Sequence, residues 1–302
     1  MAAILARMRI ALLGLGLIGG SVVRALRDPS SRDGSAGWSI AAWTPGGRGP
    51  AAALAEGTID EVADTPEGAI DGADLVVLAG PAPDCLAQLV ELAGAWHQAL
   101  APDAVITDVA STKEAIVLRA TALGLRFVGG HPMAGRETSG YAASSADLFV
   151  DRPWVVVATS DAAAVERVER LARACGARPI RLGAAAHDRA VAGISHLPLV
   201  VAAALVEAVA GSASADSSSD WPTAASLASS GWRDTTRLAR GDATMGAGIV
   251  ATNAPAIAAR VRDLIAALDG WLAELERPGG PDTAAIAERL RAARERLDGM
   301  PR

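Results

Sequence analysis

A chain of 302 residues is long enough for two domains, each with its own core. Its formal charge of -6, with no basic stripe along it, argues against a nucleic-acid surface. Cys85 and Cys175 lie far apart, with no C-x-x-C pair and no metal cluster, and read as buried thiols of a reducing compartment. Residues 1–7 are too short for the apolar region of a signal peptide, and no later stretch reads as an unbroken apolar run of spanning length. The expectation is a cytoplasmic protein with no membrane partner.

Residues 10–13 form an apolar run without polar alternation, which suits a parallel strand buried on both faces. The run enters Gly14, Gly16 and Gly19, spaced as G-x-G-x-x-G, and a helix expected over 18–27. In a dinucleotide loop the first glycine makes the tight turn, the second lets a pyrophosphate approach the backbone, and the third lets helix and strand pack closely. The helix start then offers free N–H groups and its positive dipole end to the phosphates. The motif alone is weak, because glycine turns also join strands to helices for packing; its place after a buried strand strengthens it.

A polar loop over 28–37 precedes a second strand at 39–43. An acidic residue ending that strand would bind the ribose hydroxyls of NAD. Here Thr44 stands there, followed by Pro45-Gly46-Gly47-Arg48, and a cation without a carboxylate leans toward NADP. A solvated loop arginine is an equal reading of Arg48. The chain continues with a strand at 74–79 broken by Gly80-Pro81, a helix over 84–100, and a strand at 104–109. Strands at 126–130, 154–158 and 178–182 follow, with a helix at 162–175. Strands alternating with helices are the signature of an α/β fold, a Rossmann-type doubly wound parallel sheet.

Strand signals stop near Gly183, so 1–183 reads as the dinucleotide-binding domain and 184–302 as an all-helical substrate and dimerisation domain. Residues 184–210 form one long helical stretch, bent at Pro198, and its 194–210 part reads as a buried helix. A Ser/Asp-rich loop spans 211–220. Helices follow from Trp221, with a break near Gly231, then over 249–275 and 284–297. So much alanine and valine is more apolar surface than one copy buries, and a homodimer through the helical domain is expected.

Of the four histidines, His97 reads as a surface or capping residue and His187, beside Asp188, as a solvated position. His131 is held by Gly129, Gly130 and Pro132 just past a strand end, where a base beside a nicotinamide would sit. A structural histidine bonded to a carbonyl is the equal alternative. Ser111 reads either as an N-cap or as a hydroxyl reaching the substrate or His131. His196 is a substrate residue or a satisfied core histidine. Arg233, Asp234, Thr235, Thr236 and Arg237 form a polar knot, in which an arginine can fork onto a carboxylate or sit in a surface ion-pair cluster.

Six motifs occur in this order: Gly14-Leu15-Gly16-Leu17-Ile18-Gly19-Gly20-Ser21, Asp108-Val109-Ala110-Ser111-Thr112-Lys113, Gly130-His131-Pro132-Met133-Ala134-Gly135, Ser139-Gly140, Ile194-Ser195-His196-Leu197-Pro198 and Gly231-Trp232-Arg233-Asp234-Thr235-Thr236-Arg237. Together they closely resemble the prephenate/arogenate dehydrogenase family of tyrosine biosynthesis, over residues 8–265. The resemblance implies hydride transfer from C4 of a cyclohexadienol to NAD or NADP, coupled to loss of the ring carboxylate as CO2. The product is 4-hydroxyphenylpyruvate from prephenate, or tyrosine from arogenate.

It further implies that His131 and Ser111 are catalytic, His131 taking the proton of the 4-hydroxyl and Ser111 supporting it and the nicotinamide. His196 and Ser195 would line the substrate pocket, and Arg237 would pair with a substrate carboxylate. Glu137 would shape the pocket entrance, unless it is an exposed surface carboxylate. The cofactor set is Gly14, Gly16, Leu17, Ile18, Gly19, Thr44, Arg48, Gly80, Pro81 and Ser111, and no metal is implied. Two departures stand out: Asp242-Ala243-Thr244-Met245-Gly246 lacks the family's tryptophan, and Ala110 replaces a usual glycine. The rival readings are another two-domain hydroxyacid dehydrogenase and a non-catalytic dinucleotide sensor. The first commonly uses a lysine on a helix of its second domain, and 184–210 contains none. The second has no reason to hold His131, Ser111, His196 and Arg237 together.

Overall fold

A computed structural model describes residues 8–28, 37–211 and 220–300 of the chain. The chain divides into two compact units, Met1–Ala254 and Pro255–Arg302. In the first, β1 (Arg9–Leu13), β2 (Ser39–Trp43), β3 (Glu61–Val62), β4 (Leu75–Leu78), β5 (Val105–Asp108) and β6 (Phe127–Val128) form a parallel sheet ordered β3-β2-β1-β4-β5-β6. The order reverses between β1 and β4, and ligands of such sheets bind beyond the carboxyl ends of the strands at that point.

The absence of polar alternation in β1 has its cause in burial on both faces. Ile10 and Leu12 pack on one side with Val22, Leu26 and Trp154. Ala11 and Leu13 pack on the other with Ile70, Cys85 and Leu89. All four strand residues are fully buried, and each large one stabilises the fold by about 1.5–3 kcal/mol. Helices α1 (Leu17–Arg27), α2 (Arg48–Ala55), α3 (Pro66–Ile70), α4 (Ala82–Ala93) and α5 (Glu114–Ala122) join successive strands. The helix expected over 84–100 ends at Ala93, and a short 3-10 turn, His97–Ala99, follows. Both cysteines are buried and free.

One departure from a single parallel sheet matters for the site. After the two-residue β6, the strand β7 (Gly130–Pro132) leaves the sheet and pairs antiparallel with β8 (Pro153–Val157), which runs parallel to β9 (Arg178–Leu182). A Cβ on Gly130 would stand 2.7 Å from the Asp108 carbonyl oxygen and 3.1 Å from Trp154 Nε1, so only glycine lets the chain cross so close to β5. The crossing sets His131 opposite Val155. Helix α6 (Ala162–Ala174), capped by the Asp161 carboxylate on the Ala164 amide, connects β8 to β9.

Beyond β9, α7 (Ala184–Val191) passes through a π-helical turn, Ala192–His196, into α8 (Leu197–Ala210). The bend expected at Pro198 takes this form: the ring has no N–H to give, and the ladder widens just before it. Two expectations are corrected here. The 194–210 stretch is not a buried helix, since within α8 only Ala202 is buried. The run Ala184–Ala210 is also long and apolar enough to cross a membrane, with 22% of its most apolar window buried.

Then come α9 (Trp221–Leu227), α10 (Ser230–Thr235) and α11 (Ala243–Thr252). The helix breaks at the extended Ala228 and Ser229 rather than at Gly231, which lies inside α10. The helix expected over 249–275 is two, because Asn253 ends α11 and Pro255 has no N–H with which to continue its ladder. In the second unit, α12 (Ala254–Leu275) and α13 (Thr283–Asp298) form a hairpin, where the Arg289 guanidinium stacks 4.1 Å over the Trp271 ring. Most of the two polar loops expected over 28–37 and 211–220 lies outside the described residues.

Candidate active site

The glycine loop has the backbone its spacing demands. Gly14 sits at φ +109°, and a Cβ there would stand 2.8 Å from the Ala79 carbonyl carbon. A Cβ on Gly19 would collide with the Gly14 carbonyl, so α1 rests directly on the loop. Gly16 is the exception: a Cβ there meets nothing within 4 Å, which leaves its backbone open to a ligand. Leu17 and Ile18 open α1, whose first turn holds no acid and whose N-cap supplies no side-chain hydrogen bond. Its N–H groups and dipole are therefore available to a pyrophosphate, and the loop fits a dinucleotide.

Around it, the Leu15 amide donates to Thr44 Oγ1 at 2.7 Å, so Thr44 braces the loop. Arg48 is the exposed first residue of α2, and a Cβ on its neighbour Gly49 would approach the Leu15 carbonyl oxygen to 2.6 Å. The arginine thus starts a helix that packs against the glycine loop. Gly80 and Pro81 follow β4, with Gly80 beside Asp84 in the first turn of α4.

The imidazoles converge. His131 is 8% exposed on β7, and its Nδ1 lies 2.8 Å from Nε2 of His187, the rings meeting edge to face. His187 Nδ1 lies 2.7 Å from Asp188 Oδ1. The same carboxylate accepts the Lys113 amide at 2.8 Å and the Glu114 amide at 2.9 Å, so Asp188 also satisfies the free N–H groups at the start of α5. Nδ2 of Asn253 donates to the Asp188 carbonyl at 2.9 Å and to His196 Nδ1 at 3.1 Å. With its Nδ1 accepting, His196 carries its proton on Nε2, which is buried without a hydrogen-bond partner. Below them, Lys113 pairs with Asp108, whose carboxylate also accepts the amides of Gly130 and Ala110 at 3.1 Å.

Burial holds the His131 imidazole well below its ordinary range, and the nearby Lys113, His187 and His196 add to the effect. Burial likewise pushes His196 down to about 4, against the pull of Asp188. Burial would raise the Asp188 carboxyl, but hydrogen bonds from His187, Glu114 and Lys113 outweigh it and hold it below the usual carboxylate range. The site therefore offers neutral imidazoles beside a fixed negative charge.

His187 corrects the sequence reading, since it is 1% exposed rather than solvated. The signal was the His187-Asp188 dipeptide; what hid it was that His131, which meets His187, comes from β7, while the Lys113 amide, which meets Asp188, comes from the start of α5. Lys113, Asp108 and Asn253 also went unassigned. Ser111 is half-buried in the loop between β5 and α5, three residues ahead of the helix rather than at its N-cap. Ser195 is exposed in the π turn. Arg237 and Glu137 come together as an ion pair, about half exposed on each side. Gly246 leaves ordinary room, its nearest neighbour for a Cβ being Leu199 Cδ2 at 3.6 Å.

A parallel sheet with an open glycine loop, followed by buried imidazoles braced by a carboxylate, defines an NAD(P)-dependent dehydrogenase. Comparison with known proteins narrows this class. The chain is 32% identical to prephenate dehydrogenase of Bacillus subtilis (strain 168) over 297 residues, 97% of this chain and 76% of that protein. The crystal structure of Synechocystis arogenate dehydrogenase superposes with TM-score 0.74 at 30% identity, covering 96% of this chain and 100% of that one. Prephenate dehydrogenase from A. aeolicus, in complex with hydroxyphenyl propionate and NAD+, shares the fold with TM-score 0.82 at 24% identity, covering 98% and 100%. The chain belongs to the prephenate dehydrogenase family, whose nucleotide-binding domain matches residues 48–181 and whose dimerization domain matches residues 183–286.

Proposed function

We propose that the chain oxidises and decarboxylates prephenate to 4-hydroxyphenylpyruvate in tyrosine biosynthesis, with His131 as the catalytic base. The observation that carries the reading is the buried, neutral His131, hydrogen-bonded through one ring nitrogen and so left with the other to serve a substrate. Bound NAD(P)+ supplies the hydride acceptor. Gly14, Gly16 and Gly19, with the start of α1, would hold its pyrophosphate; Thr44, Arg48, Gly80, Pro81 and Ser111 complete that set.

His131 Nε2 takes the proton of the 4-hydroxyl as the C4 oxygen becomes a carbonyl, and returns it to the phenolate once CO2 has left and the ring is aromatic. Because aromatisation and CO2 release drive the reaction, the protein's work is to position the ring and stabilise displaced charge. Ser111 supports His131 from the loop after β5. His196 offers its unpartnered Nε2–H to the substrate, with Ser195 beside it, and Arg237 takes a substrate carboxylate in exchange for Glu137.

In this reading 1–183 binds the cofactor, while 184–302 binds substrate and dimerises. The two family matches meet at that point, and exposed Ile265, Leu268 and Leu272 give α12 an apolar stripe for a second copy. The apolar run 184–210 is then an interface helix of a cytoplasmic enzyme, in keeping with the polar ties of Asp188 and His196 to the site. An assay of reduced-cofactor formation, crossing prephenate and arogenate with NAD+ and NADP+, tests the function. Turnover of prephenate is expected; no turnover of either substrate overturns it.

A further inference from the structure

We infer that His187 and Asp188 form a positioning relay, fixing His131 in its Nδ1-protonated tautomer and receiving the charge that His131 collects during turnover. The inference deepens, and rests on, the reading of His131 as the base.

The tautomers follow from the hydrogen bonds. Asp188, as a carboxylate, only accepts, and it takes two backbone amides at the start of α5 besides the imidazole. His187 Nδ1 is therefore the donor to Asp188 Oδ1, and the relay takes its Nε2 as the acceptor. The 2.8 Å contact then requires a proton on Nδ1 of His131, and the lone pair of His131 falls on Nε2. Without His187 nothing in this chain of bonds would choose between the two tautomers.

The relay also answers an electrostatic difficulty. Burial, Lys113, His187 and His196 all resist a positive charge on His131, and the Asp108 carboxylate is already paired with Lys113. When the hydroxyl O–H bond breaks and an N–H bond forms at His131 Nε2, the Nδ1 proton can pass to His187 Nε2. The cation then sits on His187, 2.7 Å from the Asp188 carboxylate. Return of both protons along the same path restores the resting state and delivers the phenol proton, so no outside acid, base or redox partner is needed.

Two readouts test this on the full chain. Imidazole-nitrogen NMR of labelled protein, with the His131→Asn difference spectrum as assignment, is expected to show His131 protonated on Nδ1; an Nε2-protonated ring overturns the relay whether or not any substrate turns over. His187→Leu is expected to lower kcat about hundredfold, while KM for prephenate and Kd for cofactor stay within about threefold. His187→Gln, whose amide oxygen still accepts from His131 Nδ1 without taking a proton, is expected to recover about tenfold of that loss. It also serves if the leucine variant fails to fold. Either variant keeping kcat within about twofold overturns the relay. An inactive wild type with an Nδ1-protonated His131 would sink the dehydrogenase reading, and with it the charge transfer, while the tautomer set by His187 and Asp188 would stand.

Discussion

Lys113 and Asp108 pair with each other with neither side chain exposed at all. Burial pushes the Asp108 carboxyl up, with Lys113 and the Gly130 and Ala110 amides pulling it back. The pair ties the end of β5 to the start of α5, and through Gly130 it fixes the backbone next to His131. Lys113→Met is expected to lower unfolding free energy by about 3–5 kcal/mol, because it strands a buried carboxylate. Adding Asp108→Asn should recover part of the loss. Denaturant titration of both variants checks this, and a single variant as stable as wild type would refute it.

His131→Asn should lower kcat by about two orders of magnitude or more, with cofactor affinity unchanged, as loss of a positioned base does. Steady-state kinetics with a separate cofactor titration decide it; unchanged turnover removes His131 from the chemistry.

Arg48 is the exposed first residue of α2, whose Gly49 packs on the glycine loop, and no carboxylate ends β2. Arg48→Ala is expected to raise KM for NADP+ about tenfold, the loss of one charge-assisted contact to the extra phosphate, and to leave KM for NAD+ within about twofold. Equal shifts for both cofactors would return Arg48 to a solvated surface role.

Arg237 is held by Glu137 across an exposed contact, which is itself weak because solvent screens it. A substrate carboxylate can displace Glu137 at little cost. Arg237→Ala is expected to raise KM for prephenate about tenfold with kcat nearly unchanged, since the contact persists from ground state to transition state. Glu137→Gln should lower that KM or leave it unchanged. A rise of equal size in both variants would mean that the ion pair itself, rather than Arg237 alone, shapes the site.

Acid should destabilise the protein earlier than its carboxylates require. His131 and His196 have folded pKa values below those of free imidazole, so the unfolded chain takes up protons that the folded chain refuses. Stability is then full above about pH 6.5 and falls below it, by up to about 1.4 kcal/mol per pH unit for each refused proton. The carboxylates held low, such as Asp161 at about 2, act only in stronger acid. A falling Tm between pH 6.5 and 5, flatter in His196→Gln, is expected; a Tm flat across that window would refute it. By the same logic kcat/KM should keep its basic plateau to a lower pH than a free imidazole would allow.

Local signals were enough for the dinucleotide loop. Gly14, Gly16 and Gly19 act through the backbone of one turn, and their spacing records that turn directly. Strands buried on both faces were legible for a related reason, since Ile10 to Leu13 carry no polar residue that a solvated face would need. The branch of β7 out of the sheet was not legible. It depends on the close approach of Gly130 to Asp108, residues separated by a helix and a strand.

The sequence by itself determined the dinucleotide loop and the doubly buried strands beside it, because periodicity and glycine spacing are written within a few turns of chain. Only the tertiary structure decided which imidazoles meet. His187 looks solvated on its own short helix, and its burial follows from β7 and the start of α5 closing over it, with His131 arriving from 56 residues away. Desolvation and hydrogen-bond direction, the quantities that choose a tautomer, exist only once those separate segments meet.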